Sequence, residues 1–401
     1  MTVELLKPAT PPNHHRFHLL DALRGVAAIL VIFWHVPKYL LSTATQSSFL
    51  AVDFFFCLSG FVIAFSYEKR LRESLGLREF MAARLIRLYP MYLLGISLGI
   101  VVLLWLDLHF QIPKTLSGRF SLLIALQLFM LPTIGVWKSR FAFPLDFPAW
   151  SLFFEIMANI GFAILVRKGL VRNRLLIIAA SVLSLFWVMQ AMRGGSLDAG
   201  WSSDLNSICK GIVRVSLSFT LGVLVFRLFR KTSGLRLPSQ LQGVLPSVVA
   251  ILLIVILLSP LAVLRTTGFH LLTVILLFPA LVYCGSLIKT PAYWTAACVL
   301  LGNISYRIYL LHAPITEALN LQSVSIFATQ HHAIARYFLP TVILLATGIA
   351  YLAMKFYDVP VRKLLTRRYN SAIASKITVV ADCTRLARQA GSLNKEQTDA
   401  T

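Results

Sequence analysis

Acidic residues are scarce in this sequence. Only 16 of its 401 residues are Asp or Glu, against 38 Lys or Arg, and all charged residues together make up 13%. Cysteine is scarce too. Its five copies (Cys57, Cys209, Cys284, Cys298, Cys383) lie mostly in apolar runs without paired spacing, so neither a disulfide framework nor a metal site is indicated. No Gly-x-x-x-x-Gly-Lys-Ser/Thr loop occurs, which argues against an ATP-driven pump. There is no internal repeat or low-complexity tract. The polar, Pro-containing start "MTVELLKPATPPNHHRF" lacks a leader-peptide pattern, so the first apolar segment is expected to be retained.

Apolar residues dominate. They form 57% of the chain, and the mean hydropathy is +0.75. That composition predicts an all-α polytopic membrane protein. The net charge of +22 fits basic cytoplasmic loops beside anionic lipid, and no nucleic-acid partner is expected. Spans are predicted near 17–37, 49–67, 90–107, 149–166, 175–192, 207–228, 245–262, 269–287, 297–315 and 335–357. A further run, 119–132, is short and ends in Pro132. If it only dips in and returns, the basic loops 68–87, 167–174 and 227–236 share one side, as the positive-inside rule favours. The prediction is therefore about ten helices, one re-entrant or interfacial segment, and both termini in the cytoplasm. The domains are a cytoplasmic N-terminal segment (1–16), a transmembrane domain (17–357) and a basic cytoplasmic tail (358–401). That tail is too short for a second catalytic domain, so the chemistry is expected within the membrane.

Ionisable groups inside apolar runs are costly unless something satisfies them. In "LDALRGVAAILVIFWHV" Arg24 and His35 stand eleven residues apart. That spacing puts both on one helical face, ~16 Å apart along the axis. Arg84 and Arg87 share a face in "RLIRLYP", as do Ser151 and Glu155 in "FPAWSLFFE". Helix 9 carries Ser305, Arg307, Tyr309 and His312. Each has a plain alternative: Arg24 paired with Asp21 at the headgroups, the arginine pair as topological anchors, Ser151 as a cap. Taken together they form a two-ended pattern, with cations toward one face and imidazoles with a carboxylate toward the other. Guanidinium forks suit phosphate, and a neutral imidazole can take a proton from an attacking hydroxyl. The pattern fits transfer of a group from a cytosolic phosphorylated donor to an external acceptor. A proton-coupled secondary transporter of a small polar solute is the alternative, though no inverted repeat supports it.

Five elements resemble the membrane acyltransferase 3 family, in that family's order. "LDALRGVAAILVIFWHV" is similar to its Arg-x10-His signature. "FFFCLSGFVIAFSYEKR" is similar to Phe-Phe-x-x-Ser-Gly-Phe with a downstream Arg, here Arg70. "RLIRLYP" resembles Arg-x-x-Arg-x-x-Pro, "PAWSLFFE" resembles Trp-Ser-Leu-x-x-Glu, and "LGNISYRIYLLH" resembles Ser-Tyr-x-x-Tyr-Leu-x-His. The resemblance implies O-acylation, expected to be O-acetylation, of an extracytoplasmic carbohydrate or glycolipid. It implies acyl-CoA, expected to be acetyl-CoA, as donor, and a bacterial inner (plasma) membrane location. By position it implies His35 as base, supported by Glu155 and His312. Arg24, Arg70, Arg84 and Arg87 would serve the donor, and Asp53, Trp150, Ser151, Ser305 and Tyr309 fall to the acceptor side. Two features depart from the family pattern: "YDVP" (Asp358 to Pro360) stands where Glu-x-Pro is usual, and Arg307 stands where a small or neutral residue is expected.

Overall fold

The computed structural model describes residues 16–35, 47–110, 118–135, 139–193, 195–232, 239–258, 261–319, 332–373 and 375. Among these the chain is helical and contains no strand, only one isolated bridge between Phe141 and Ser202. The long helices are α1 (His18–His35), α2 (Ala51–Glu73) and α3 (Leu77–Phe110), followed after a short α4 (Gly118–Leu128) by α5 (Ala149–Arg167). Then come α6 (Asn173–Met192), α7 (Leu205–Thr232), α8 (Ser239–Leu258) and α9 (Thr267–Leu287). The last two are α10 (Ala292–Leu319) and α11 (His332–Ala353). Eight helices among the described residues are long and apolar enough to cross a membrane. Neither α8, whose described apolar part is Gln242–Leu258, nor α10 is among the eight. The all-α polytopic class predicted from composition is the class observed.

The 119–132 run forms α4, eleven residues long. At 1.5 Å per residue it is about 16 Å long, too short to cross a hydrocarbon core of about 30 Å. The chain then turns at Met130, whose φ is 55°. The carbonyls at the end of α4 do not go unpaired: Tyr89 donates to Leu128 O (2.6 Å) and Tyr92 to Gln127 O (2.5 Å). Such pairing by neighbouring protein is the condition for non-helical backbone at membrane depth.

At the centre, α1 packs along α10, and α2 along α7. Small residues permit the first contact. A Cβ on Gly25 would stand 2.6 Å from Leu301 Cβ, and one on Gly302 would stand 2.6 Å from Asp21 Cβ. Close backbone approach through glycine is how membrane helices gain packing without a hydrophobic drive between them. At one end of α2, Glu68 accepts from Arg227 (2.5 Å) and Arg72 (2.9 Å), and both arginines also reach Val171 O. These bonds tie α2, α7 and the α5–α6 connection together. The last helix does not stop at 357; it runs through a π-turn (Met354–Asp358) and on to Ile373, so 358–373 is helical. The N-terminal segment 1–15 and residues 376–401 lie outside the described residues.

Candidate active site

The last residue of α1 is His35, half-buried, and near the end of α10 lies His312, fully buried. Their rings meet: His312 Nε2 is 3.0 Å from His35 Nδ1. Each ring also sets its Nδ1 against the carbonyl one turn back on its own helix, His35 on Val31 O and His312 on Ile308 O, both at 3.1 Å. A carbonyl only accepts, so Nδ1 carries the proton in both rings. In the neutral pair, His312 Nε2 is then the lone-pair atom, and it shares the His35 Nδ1 proton with Val31 O. Among the described residues, His35 Nε2 is left as a free lone pair. This is the arrangement a general base needs, a nitrogen acceptor on a ring whose other nitrogen is held.

Side chains around the pair hold it in place. Phe147 lies with its ring centroid 4.4 Å from that of His35. Tyr309, one turn before His312, meets Ser151 at 2.7 Å, and Ser151 in turn donates to Pro148 O. That bridge docks α10 onto the start of α5.

The Arg24 end is a second cluster. Arg24 donates Nε to Ser305 Oγ (2.9 Å) and Nη2 to Gly302 O (2.7 Å), and pairs with Asp21 at 3.2 Å. Asp21 also accepts from Arg16 at 2.7 Å. Arg84 is buried and pairs with Glu155 at 2.7 Å, while Ser59 donates to the same Glu155 oxygen at 3.1 Å. Arg87 and Glu155 both lie within electrostatic reach of Arg24. Arg87 is exposed, and Arg70 lies over the Tyr67 ring at 5.8 Å.

Several sequence-based placements change here. Glu155, expected beside the imidazoles, has no bond to either histidine and belongs with Arg84, because α3 packs against α5 at that level. Ser305, expected on the acceptor side, serves Arg24 instead. Asp53 and Trp150 are occupied with Arg214, which sequence reasoning missed. Asp53 takes Arg214 Nη2 at 2.7 Å and Nε at 3.1 Å, and Asp198, Ala199 O and Phe49 O take its remaining donors. Trp150 lies under the guanidinium at 5.4 Å. Arg214 is an arginine within a predicted span, the same signal that flagged Arg307, so it was findable. Phe147 and Asp146, which is buried and unpaired among the described residues, gave no such signal, since both lie in a connection.

A family model describing an acyltransferase domain, that of acyltransferase 3, matches residues 17–355. The chain belongs to this family. One relative is "Protein 2 in picA locus" of Rhizobium radiobacter, 35% identical over an alignment of 187 residues that covers 44% of this chain and 95% of that protein. No solved structure matches. The chain is thus a membrane acyltransferase, transferring groups other than aminoacyl groups.

The two departures from the family pattern prove to be partners in this acyltransferase. Arg307 on α10 pairs with Asp358 on the π-turn of α11, and Arg362 approaches the same oxygen at 3.4 Å. The extra residue of a π-turn rotates one side chain out of the regular helical row, and Asp358 is the last residue of that turn. The pair predicts coupling: Arg307→Ala and Asp358→Ala together should cost less than the sum of the single changes, by about 0.5–3 kcal/mol. Thermal unfolding of the four proteins in detergent measures it, and strict additivity would refute the pair.

Proposed function

We propose that this acyltransferase moves an acetyl group from cytosolic acetyl-CoA to a hydroxyl of an extracytoplasmic carbohydrate or glycolipid. The His35 end of α1 faces outward, and the Arg24 end faces the cytoplasm. The observation that carries the proposal is the free Nε2 of His35, held by His312 and about 16 Å along one helix from Arg24. An acceptor hydroxyl donates its proton to His35 Nε2 as its oxygen attacks the thioester carbonyl carbon. The carbon–sulfur bond then breaks, and the departing thiolate takes that proton from the imidazolium. His312 Nε2 accepts the His35 Nδ1 proton throughout, so the positive ring is stabilised and kept in orientation, as the third group of a catalytic triad does. Arg24, Arg70, Arg84 and Arg87 serve the phosphates of the donor. Glu155 acts through Arg84 by fixing its guanidinium.

The test is transfer of radiolabelled acetyl from acetyl-CoA to total envelope glycan by the purified protein. Label in the glycan that mild alkali releases, as it does an O-acetyl ester, supports the proposal, and none refutes it. Arg87 is the cleanest donor-side probe, because it is exposed and makes no hydrogen bond among the described residues. Arg87→Ala should raise the KM for acetyl-CoA about tenfold or more, as loss of one charge-assisted contact predicts. Its kcat and melting temperature should not change. An unchanged KM would make Arg87 a topological anchor only.

A further inference from the structure

The α2 helix is enclosed by α1, α5, α7 and α9, yet one narrow face of it is open. From Ala51 to Ala64 every residue is buried except Phe55, Ser59 and Val62. The same face continues through Ser66 to Arg70, both half-buried. The positions i, i+4, i+7, i+11 and i+15 form a single stripe, about 22 Å long at 1.5 Å per residue. Its open face is turned into the bundle. The Phe55 ring stands 5.4 Å from that of buried Tyr309, and Ser59 donates to Glu155, the partner of buried Arg84. One end of the stripe therefore lies beside the histidine pair and the other carries an arginine.

Two further observations concern groups next to Glu155, the partner of Ser59 in this stripe. Arg84 Nε is buried and has no hydrogen-bond partner among the described residues. Asn159, one turn from Glu155 on α5, is fully buried, and among the described residues both its amide nitrogen and its amide oxygen are unpaired. Buried polar atoms are ordinarily satisfied, and leaving one unmade costs about 1–3 kcal/mol. A vacant donor beside a vacant acceptor on one side chain matches a secondary amide, which offers one N–H and one C=O.

We infer that the α2 stripe Phe55–Ser59–Val62–Ser66–Arg70 lines the channel that holds the pantetheine arm of the acyl donor. Arg70 stands at the entrance with the donor's phosphates, Asn159 and Arg84 meet the amides of the arm, and the thioester reaches the level of Phe55 and Tyr309. This assignment rests on acyl-CoA being the donor. It goes further in naming the path, in assigning Asn159, and in giving the Ser59 face a ligand.

Protection from labelling tests it. In full-length Val62→Cys protein, a small water-soluble methanethiosulfonate should modify position 62, with the adduct located by mass spectrometry. At acetyl-CoA about ten times its Kd the rate should fall about tenfold, since only the free fraction reacts. The nucleotide part alone, 3′-phospho-ADP, should leave position 62 reactive because it carries no arm. Ile63→Cys, on the packed side of the helix, should stay unlabelled throughout. Ser66→Cys reports the same path if Val62→Cys fails to fold. Binding of radiolabelled acetyl-CoA to the unaltered protein is measured in parallel. Absent binding overturns the donor assignment and the path with it. Binding without protection at 62 or 66, or protection by the nucleotide part alone at 62, overturns the path only.

Discussion

Folded His35→Ala protein should bind acetyl-CoA as the parent does and transfer its acetyl group about 10²–10⁴-fold more slowly. The magnitude follows from the role. Nε2 of His35 is the one atom of the pair left as an acceptor, since both Nδ1 atoms are turned to carbonyls and His312 Nε2 already receives the His35 proton. Removing the ring removes the base without touching the arginines about 16 Å away. His312→Ala should fall between the two, because His35 keeps its bond to Val31 O but loses the acceptor that stabilises its charged form. Stopped assays with labelled donor, together with equilibrium dialysis, separate transfer from binding. Parent-like transfer by folded His35→Ala protein would sink the mechanism.

A second large effect concerns stability. Arg214→Ala should cost about 3–5 kcal/mol, the usual penalty for leaving a buried charge without its partner. Asp53, 2% exposed beside Arg214, would then keep only Ser218 at 3.3 Å as donor among the described residues. The damage should spread to the connection before α7, because Arg214 also holds Asp198 and Ala199 O. The double replacement Asp53→Leu with Arg214→Met should recover most of the loss, since a buried ion pair is often no better than well-packed apolar groups. Thermal unfolding in detergent gives both numbers. A double variant as unstable as Arg214→Ala alone would mean that the site needs the charges for more than pairing.

How much of this was readable from residues alone depended on range. Helix 1 spacing put Arg24 and His35 on one face, because a regular helix converts sequence distance into angle and rise with little freedom. The all-α class followed from composition, because unpaired backbone cannot sit in hydrocarbon. The short 119–132 run was read as a non-spanning segment from the positive-inside rule, and its helix is the eleven-residue α4. Pairing between helices was not legible. Asp53 looked like an acceptor-side group because it opens a motif-bearing helix, yet it is occupied by Arg214, 161 residues away. Glu155 looked like a companion of the imidazoles and is instead bonded to Arg84. Periodicity gives the face a residue occupies, while the partner across that face depends on how helices cross and at what height. Arg307 and Asp358 show the same division. Each was visible as a departure, but only the packing of α10 against the π-turn of α11 joined them. The sequence by itself determined the helices, their polar stripes and the family. Tertiary structure decided which stripes meet, because a buried charge is satisfied by whichever partner packing brings within hydrogen-bond reach.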